Sequence, residues 1–462
     1  MDPATTFAII AALLFFALCV LDRKLALAAF CALLPVYLIR FTISLPFGPL
    51  EALPTTLLEI FFAVLFVSWL LFGREKRGSG DPEPLATLGF GARAGKRGST
   101  ICRWLPGIAL LLTGSVIGIL VSPEPVAALG IWRAYFLEPL LFFVLFTDMV
   151  RDADTRRTVL GALGISLAII GLSAVYQKVT GFGIPNPVWV PEDVRRVTSF
   201  FGFPNGIGLI AAPVTVLMAG WAVSSLRKDG AFRNLAVFLL GIMAAVLGLL
   251  SILFAVSEGA MLGVAAGLLA FGLLYRPLRK AALVFVIAGC ALVIFYQPLT
   301  DYVSLMASMR DDSWHVRKIV WQESLDMLYD RPIVGAGLAG YQTALAPYHE
   351  ARHIEIFMYP HNFLLNFWSE TGIVGLAGFL VIIWTVFAVA IGLYRDRKDE
   401  WLPAGVIAAM IAILVHGLVD VPYLKNDISF LFWIVIGLAE SMRRQALEGN
   451  RRSDGLESRE EL

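Results

Sequence analysis

The sequence predicts an all-α, polytopic membrane protein with about 12–13 transmembrane helices and one long extracytoplasmic loop. Three observations carry this. Hydrophobic residues make up 58% of the 462 residues and charged ones only 16%, with mean hydropathy +0.76; soluble chains carry about 25% charge. Apolar runs near the roughly 20 residues needed to cross a bilayer recur along the chain. Lys and Arg cluster at every second connection, as the positive-inside rule requires. A net charge of +1 leaves no global basic field for nucleic acid.

Taken in order, the candidate spans are Thr6–Leu21, Leu25–Ile43, Thr55–Phe72, Trp104–Val121, Ala134–Val150, Val159–Gln177, Gly206–Leu226, Leu235–Val256, Gly259–Tyr275, Ala281–Tyr296, Gly372–Tyr394, Leu402–Val419 and Ile428–Met442. The first lacks a basic n-region and an A-x-A-like end, so it reads as a retained helix rather than a cleaved signal. Residues 1–73 form N-terminal transmembrane helices, and 74–103 form a flexible, basic cytoplasmic linker rich in Gly, Ser and Pro. Residues 104–296 carry the central helices, interrupted by an outer loop over 179–205. A second outer loop, 297–371, is far longer than an ordinary connection, and long ordered loops are usually functional. Residues 372–442 return to the membrane and 443–462 form a charged cytoplasmic tail. Basic pairs such as Arg156-Arg157, Arg227-Lys228, Arg279-Lys280 and Arg443-Arg444 mark the cytoplasmic ends. Cys19, Cys31, Cys102 and Cys290 show neither disulfide-framework nor metal-site spacing.

The outer loops should be poor in cations, yet they hold Arg195, Arg196, Arg310, Arg317, Lys318, Arg331 and Arg352. One reading is a solvated surface balanced by Asp311, Asp312 and Glu323. The other is an anion site, because guanidinium forks bind phosphate through two parallel bonds. A lipid-linked pyrophosphate at the outer face fits that geometry.

The stretch "MYPHNFLLNFWSETGIVGL" over 358–376 places one of only five histidines beside a proline at the entrance to an apolar run. Pro360 suits a first helical position, which puts His361 and Asn362 in the first turn. His361, Leu364, Leu365 and Trp368 then share one face, with Asn362, Asn366 and Ser369 beside it. A helix N-terminus disfavours imidazolium, so His361 would stay neutral and able to accept a proton from a hydroxyl. A packing or capping histidine is the plainer alternative.

Two other function classes leave traces. "HEARH" over 349–353 matches H-E-x-x-H, which on a helix sets two histidines for zinc with Glu350 as base, a membrane metallopeptidase. Its outer-loop position, and Ile356 and Tyr359 at the positions of the extended motif, speak against zinc. A lipid or polysaccharide transporter would place ionisable residues within spans. Here Glu59, Glu138 and Asp148 are few and near span ends, and Arg133 is placed to pair with Glu138.

Four segments together resemble the O-antigen ligase and polymerase superfamily. "PHNFLLNFWSETGIVGL" resembles its H-N-x-x-L…E-x-G-x-x-G-L signature, and Arg317–Tyr341 resembles R-x-x-x-W…D-x-P-x-x-G-x-G. "RVTSFFGFPNGIGL" from Arg196 resembles R-x-x-G-x-F-x-x-P-N, and "HGLVDVPYL" from His416 resembles a His-x-x-x-Asp near the last helices. The resemblance implies a GT-C-like fold and a metal-independent, inverting glycosyltransferase with no cofactor, acting in the bacterial inner membrane with its site facing the periplasm. Its donor would be an undecaprenyl-pyrophosphate-linked glycan. The acceptor would be a glycolipid hydroxyl (ligase), a glycan chain (polymerase) or a protein (O-oligosaccharyltransferase). By this resemblance His361 activates the acceptor and Arg196 and Arg317 hold the pyrophosphate; the outer-loop Arg310 is placed with them, and Asn205, Asn362, Glu370 and Trp321 are read as supporting the site. Two departures stand out: Ser199 where the family often has glycine, and Glu258 in "SEGAML" where many members have arginine.

Overall fold

The computed structural model describes residues 3–44, 52–72, 102–226, 231–297, 300, 304, 312–351, 353–397 and 400–460. Most of the 74–103 linker and Arg310 therefore lie outside the described residues.

Helix α1 (Pro3–Leu21) is followed by α2 (Arg23–Ala32), whose N-cap Asp22 accepts from the Lys24 and Leu25 amides at 2.9 and 3.1 Å. The expected span Leu25–Ile43 is not one helix. Pro35 has no N–H and crowds the preceding turn, so the chain passes through a 3₁₀ turn at Leu34–Leu38 into strand β1 (Arg40–Ser44). Strand β1 pairs antiparallel with β2 (Ala52–Thr56), Arg40 opposite Thr56. Helix α3 (Leu57–Phe72) completes this group.

Helix α4 (Leu105–Leu120) is followed by α5 (Pro125–Trp132), one π-helical turn (Arg133–Leu137) and α6 (Glu138–Met149). These last three make one continuous span of 25 residues, longer than the expected Ala134–Val150. Next come α7 (Ala153–Thr180), α8 (Asn205–Ser225), α9 (Ala231–Ala255), α10 (Glu258–Leu274) and α11 (Arg279–Phe295). The long loop contains α12 (Asp312–Asp330) and the short α13 (Tyr341–Leu345). Helices α14 (Phe363–Asp396), α15 (Trp401–Gly417) and α16 (Asn426–Glu460) follow. Among the described residues, five helices are long and apolar enough to cross a membrane, and five more apolar helices have 10–17 residues. With a single two-stranded sheet beside them, the chain is an all-α multi-pass membrane protein. Apolar side chains such as Phe285 and Phe295 on α11 stay exposed, at 78% and 85%, as lipid-facing positions do.

Helices α4 and α14 meet along glycines. A Cβ on Gly114 would lie 2.4 Å from Gly375 Cα, and one on Gly378 would lie 2.3 Å from the Leu111 amide nitrogen. Helix α14 breaks at Gly372, with φ 66° and ψ −177°, a region that only glycine occupies freely. The carbonyl of Ser369, freed by the break, accepts from the Ala336 and Gly337 amides at 2.7 and 3.1 Å. The Ile373 amide donates to Ile333 at 3.0 Å. The Pro332–Gly337 segment thus splints the break, and Gly335 at φ 68° has no room for a Cβ against the Ser369 carbonyl, 2.4 Å away. Gly372→Ala would force a Cβ to 2.3 Å from the Ile333 carbonyl. We expect it to destabilise the protein by roughly 3 kcal/mol, read as a lower unfolding midpoint in detergent.

Candidate functional site

Three loops converge at one end of the bundle: 181–204 before α8, 346–362 before α14, and 418–425 between α15 and α16. His361 belongs to the second. It is not in the first turn of a helix, as the sequence suggested. Asn362 takes the N-cap position instead, because its side chain accepts from the Leu364 and Leu365 amides at 3.0 and 3.1 Å. Its amide group also donates to the Leu418 carbonyl at 3.0 Å, tying the start of α14 to the third loop. Asn362 thus fixes where α14 begins, and the shared face with Leu364 and Leu365 does not include His361.

His361 precedes the cap with φ 49°, a left-handed conformation that non-glycine residues rarely hold. Its ring packs edge-on against Phe357 at 5.2 Å and Tyr359 at 4.7 Å. The Trp321 indole donates to the Pro360 carbonyl at 2.9 Å, which pins the segment to α12.

Asp420, to which the sequence reading gave no role, sits between two histidines. Its carboxylate is 3.7 Å from His361 Nδ1 and 3.9 Å from His416 Nε2. Both separations exceed a hydrogen bond, and His361 Nδ1 has no bonding partner among the described residues. Burial alone would raise the Asp420 carboxyl; the two histidines and the Val421 amide at 2.8 Å outweigh it and hold the group below its ordinary range. With Nδ1 turned to this carboxylate, Nε2 is the ring nitrogen left to meet a ligand. His416 itself lies between Gly208 of α8 and Gly259 of α10, whose Cβ positions would come within 3.0 and 2.9 Å of its ring. The i, i+4 spacing of His416 and Asp420 at a helix end was the available signal.

Arg196 docks on the C-terminus of α9. Its Nε donates to Ala255 at 3.0 Å and its Nη2 to Val256 at 3.1 Å, a cation at the negative end of a helix. Three further N–H donors of the guanidinium are not used by these bonds. Burial, and beyond it the nearby Arg317 charge, push Arg196 below its ordinary value, with Glu258 opposing. Arg317 lies over the Trp314 ring at 5.7 Å and within coulombic range of both Arg196 and His416. The structure therefore brings Arg196, Arg317, His361, His416 and Asp420 into one neighbourhood.

The two departures from the family pattern gain a physical meaning. Ser199 has φ 51°, which explains why glycine suits this position. Here hydrogen bonds hold the strained residue: its amide donates to Gln177 Oε1 at 2.7 Å and its hydroxyl to the Ile170 carbonyl at 3.0 Å. Glu258 opens α10 as a counter-charge to Arg196.

Glu370 is buried, and its carboxylate accepts from the Ala339 amide at 2.8 Å, so it anchors the glycine loop. Asn366 and Ser369 are buried rather than forming a polar face. Asn205 is half-buried and opens α8 in the arginine loop. Arg133 bonds Glu59 at 2.9 Å and lies 3.6 Å from Glu138, the pairing expected of it.

"HEARH" is not a helical zinc motif, since α13 and a 3₁₀ turn end at Tyr348 and the chain leaves helix at His349. Among the described residues no three metal-ligating side chains cluster. His349 instead places Nδ1 2.9 Å from Glu323 and Nε2 2.9 Å from the Ile354 carbonyl, both acceptors. The Glu323 hydrogen bond, reinforced by the Ile354 carbonyl, raises the His349 imidazole above its ordinary value against the opposing effect of burial. The protonated form is thus favoured in the folded state. Its contribution is complete below the unfolded value of about 6.5 and is lost as pH rises through the higher folded value. Protection factors over 349–357, which remove the intrinsic pH dependence of amide exchange, are expected to fall with rising pH across that window, and His349→Gln to remove that fall.

Residues 243–380 match the family model described as O-antigen ligase. The match takes in Arg317, Trp321 and His361, while Arg196 and Asp420 lie outside it. No curated protein matches the chain. Over residues 243–380 the chain is therefore similar to the O-antigen ligase domain.

Proposed function

We propose that this protein is an inverting glycosyltransferase that moves a glycan from undecaprenyl pyrophosphate to an acceptor hydroxyl. The reaction takes place at the periplasmic face of a bacterial inner membrane, in the manner of an O-antigen ligase. The observation that supports it best is the placing of His361, backed by Asp420, in the neighbourhood of Arg196 and Arg317. His361 Nε2 accepts the proton of the acceptor hydroxyl. The oxygen attacks the anomeric carbon from the face opposite the pyrophosphate, the anomeric C–O bond breaks, and undecaprenyl pyrophosphate leaves with the bonding pair. Asp420 steadies the imidazolium that forms. Arg196 and Arg317 neutralise the charge growing on the leaving group, the part that preorganised donors play in electrostatic catalysis.

The test is transfer in proteoliposomes that contain the purified protein, a synthetic undecaprenyl-pyrophosphate-linked oligosaccharide and candidate acceptors. Release of undecaprenyl pyrophosphate together with a product of inverted anomeric configuration is expected. A retained configuration, or glycan movement across the bilayer without a new glycosidic bond, would overturn the reading.

A further inference from the structure

Lys425 has no part in the chemistry above, yet its surroundings are unusual. Its ammonium lies 4.7 Å from the Tyr37 ring centroid, 5.0 Å from that of Phe201 and 5.4 Å from that of Phe203. Asp427 stands 3.9 Å away, too far for a hydrogen bond, and Nζ finds no hydrogen-bond acceptor among the described residues. Burial pushes the Lys425 ammonium below its ordinary value. A methionine there would leave the buried Asp427 without its counter-charge, so one part of the lysine's role is to face that carboxylate. What a cation adds is directional attraction to ring faces, strongest where water is excluded.

The rings belong to different parts of the chain. Tyr37 is in the turn after α2, while Phe201 and Phe203 follow Arg196 by five and seven residues in the arginine loop. Lys425 follows Asp420 by five residues in the third loop. The first half of the arginine loop has its own anchors. Arg196 and Val197 bond the end of α9, and Gln177 takes the amides of Thr198 and Ser199 at 2.8 and 2.7 Å. The second half meets Lys425.

The geometry points to Lys425 as a positioning residue: through Phe201 and Phe203 it ties the arginine loop to the hinge that carries Asp420. It thereby fixes the gap between the pyrophosphate-binding arginines and His361. This role in catalysis rests on the glycosyl transfer proposed above, whereas the tie itself does not. Because Arg196 keeps its anchors without Lys425, loss of the cation should displace Asp420 and the base rather than the donor site.

The experiment uses the full chain in nanodiscs, with hydrogen exchange over 197–204 and transfer kinetics with a synthetic undecaprenyl-pyrophosphate-linked disaccharide. Lys425→Met should quicken exchange over 197–204 roughly tenfold. It should also lower kcat about tenfold and leave the donor KM within about twofold. Lys425→Arg should restore both readouts, since it keeps a cation over the rings. Phe203→Leu combined with Lys425→Met should do no further damage, as coupled residues are non-additive. Wild-type exchange and kcat in Lys425→Met, or additive losses in the double variant, would overturn the inference. If Lys425→Met fails to fold, Phe203→Leu alone must quicken exchange in the same segment, and unchanged exchange there is equally fatal. If the wild-type protein transfers no glycan, the proposed function fails, while the exchange measurements still decide the tie.

Discussion

His361→Ala is expected to lower glycan transfer by roughly 10²–10⁴-fold, the range a positioned general base contributes, while the protein still inserts and folds. The imidazole makes few structural contacts beyond Phe357 and Tyr359, and the neighbouring cap belongs to Asn362. Loss of activity should therefore come without a fall in the unfolding midpoint. Removing the side chain also leaves the left-handed backbone in place, so His361→Gly at equal stability and equal inactivity would show that the ring, not the turn, is needed. Asp420→Asn should reduce kcat less than His361→Ala does, because the ring can still accept the proton while the imidazolium loses its counter-charge. Transfer at the wild-type rate in His361→Ala would remove the base assignment outright.

Arg317→Ala is expected to cost roughly 10²–10³ in kcat, the scale for losing one preorganised donor to a developing anion. Arg317 is the cleaner probe of the two arginines. It lies over the Trp314 ring, so its truncation removes charge with little disturbance. Arg196 also bonds the carbonyls that end α9, so Arg196→Ala should lower both activity and the unfolding midpoint. Lysine should rescue only part of the function at either position, since a point charge lacks the fork that binds two phosphate oxygens at once. Donor kinetics indistinguishable from wild type in both alanine variants would leave no role for these residues in pyrophosphate binding.

Much of this was open to reading because each feature is local. A bilayer demands apolar runs of a given length, so composition and hydropathy alone determined a multi-pass all-α protein. Cations in loops that topogenesis should keep free of them marked seven positions, from which the family resemblance picked Arg196 and Arg317. A histidine beside a proline and ahead of an apolar run singled out His361. The glycine spacing of the 330–337 segment was visible too, but its purpose was not. Its amides serve a carbonyl freed by a helix break some 30 residues away in the chain, at Gly372.

What only the tertiary structure decided depends on residues distant in sequence. Pro35 competes with a strongly apolar run, and the pairing of β1 with β2 settles that contest against a transmembrane helix. Asn362 and Pro360 both suit a helix start; the side-chain bonds of Asn362 decide in its favour and leave His361 outside the helix. Glu370 reads as a supporting polar residue, and the fold shows its carboxylate taking the Ala339 amide of a distant loop. Asp420 carries only the His416 spacing as a local mark, and Lys425 carries none. Their meaning comes from charge and ring contacts across 59 and 224 residues of chain, with His361 and Phe201. Periodicity reports what a residue's own helix needs, and only packing reports which distant side chain shares its space.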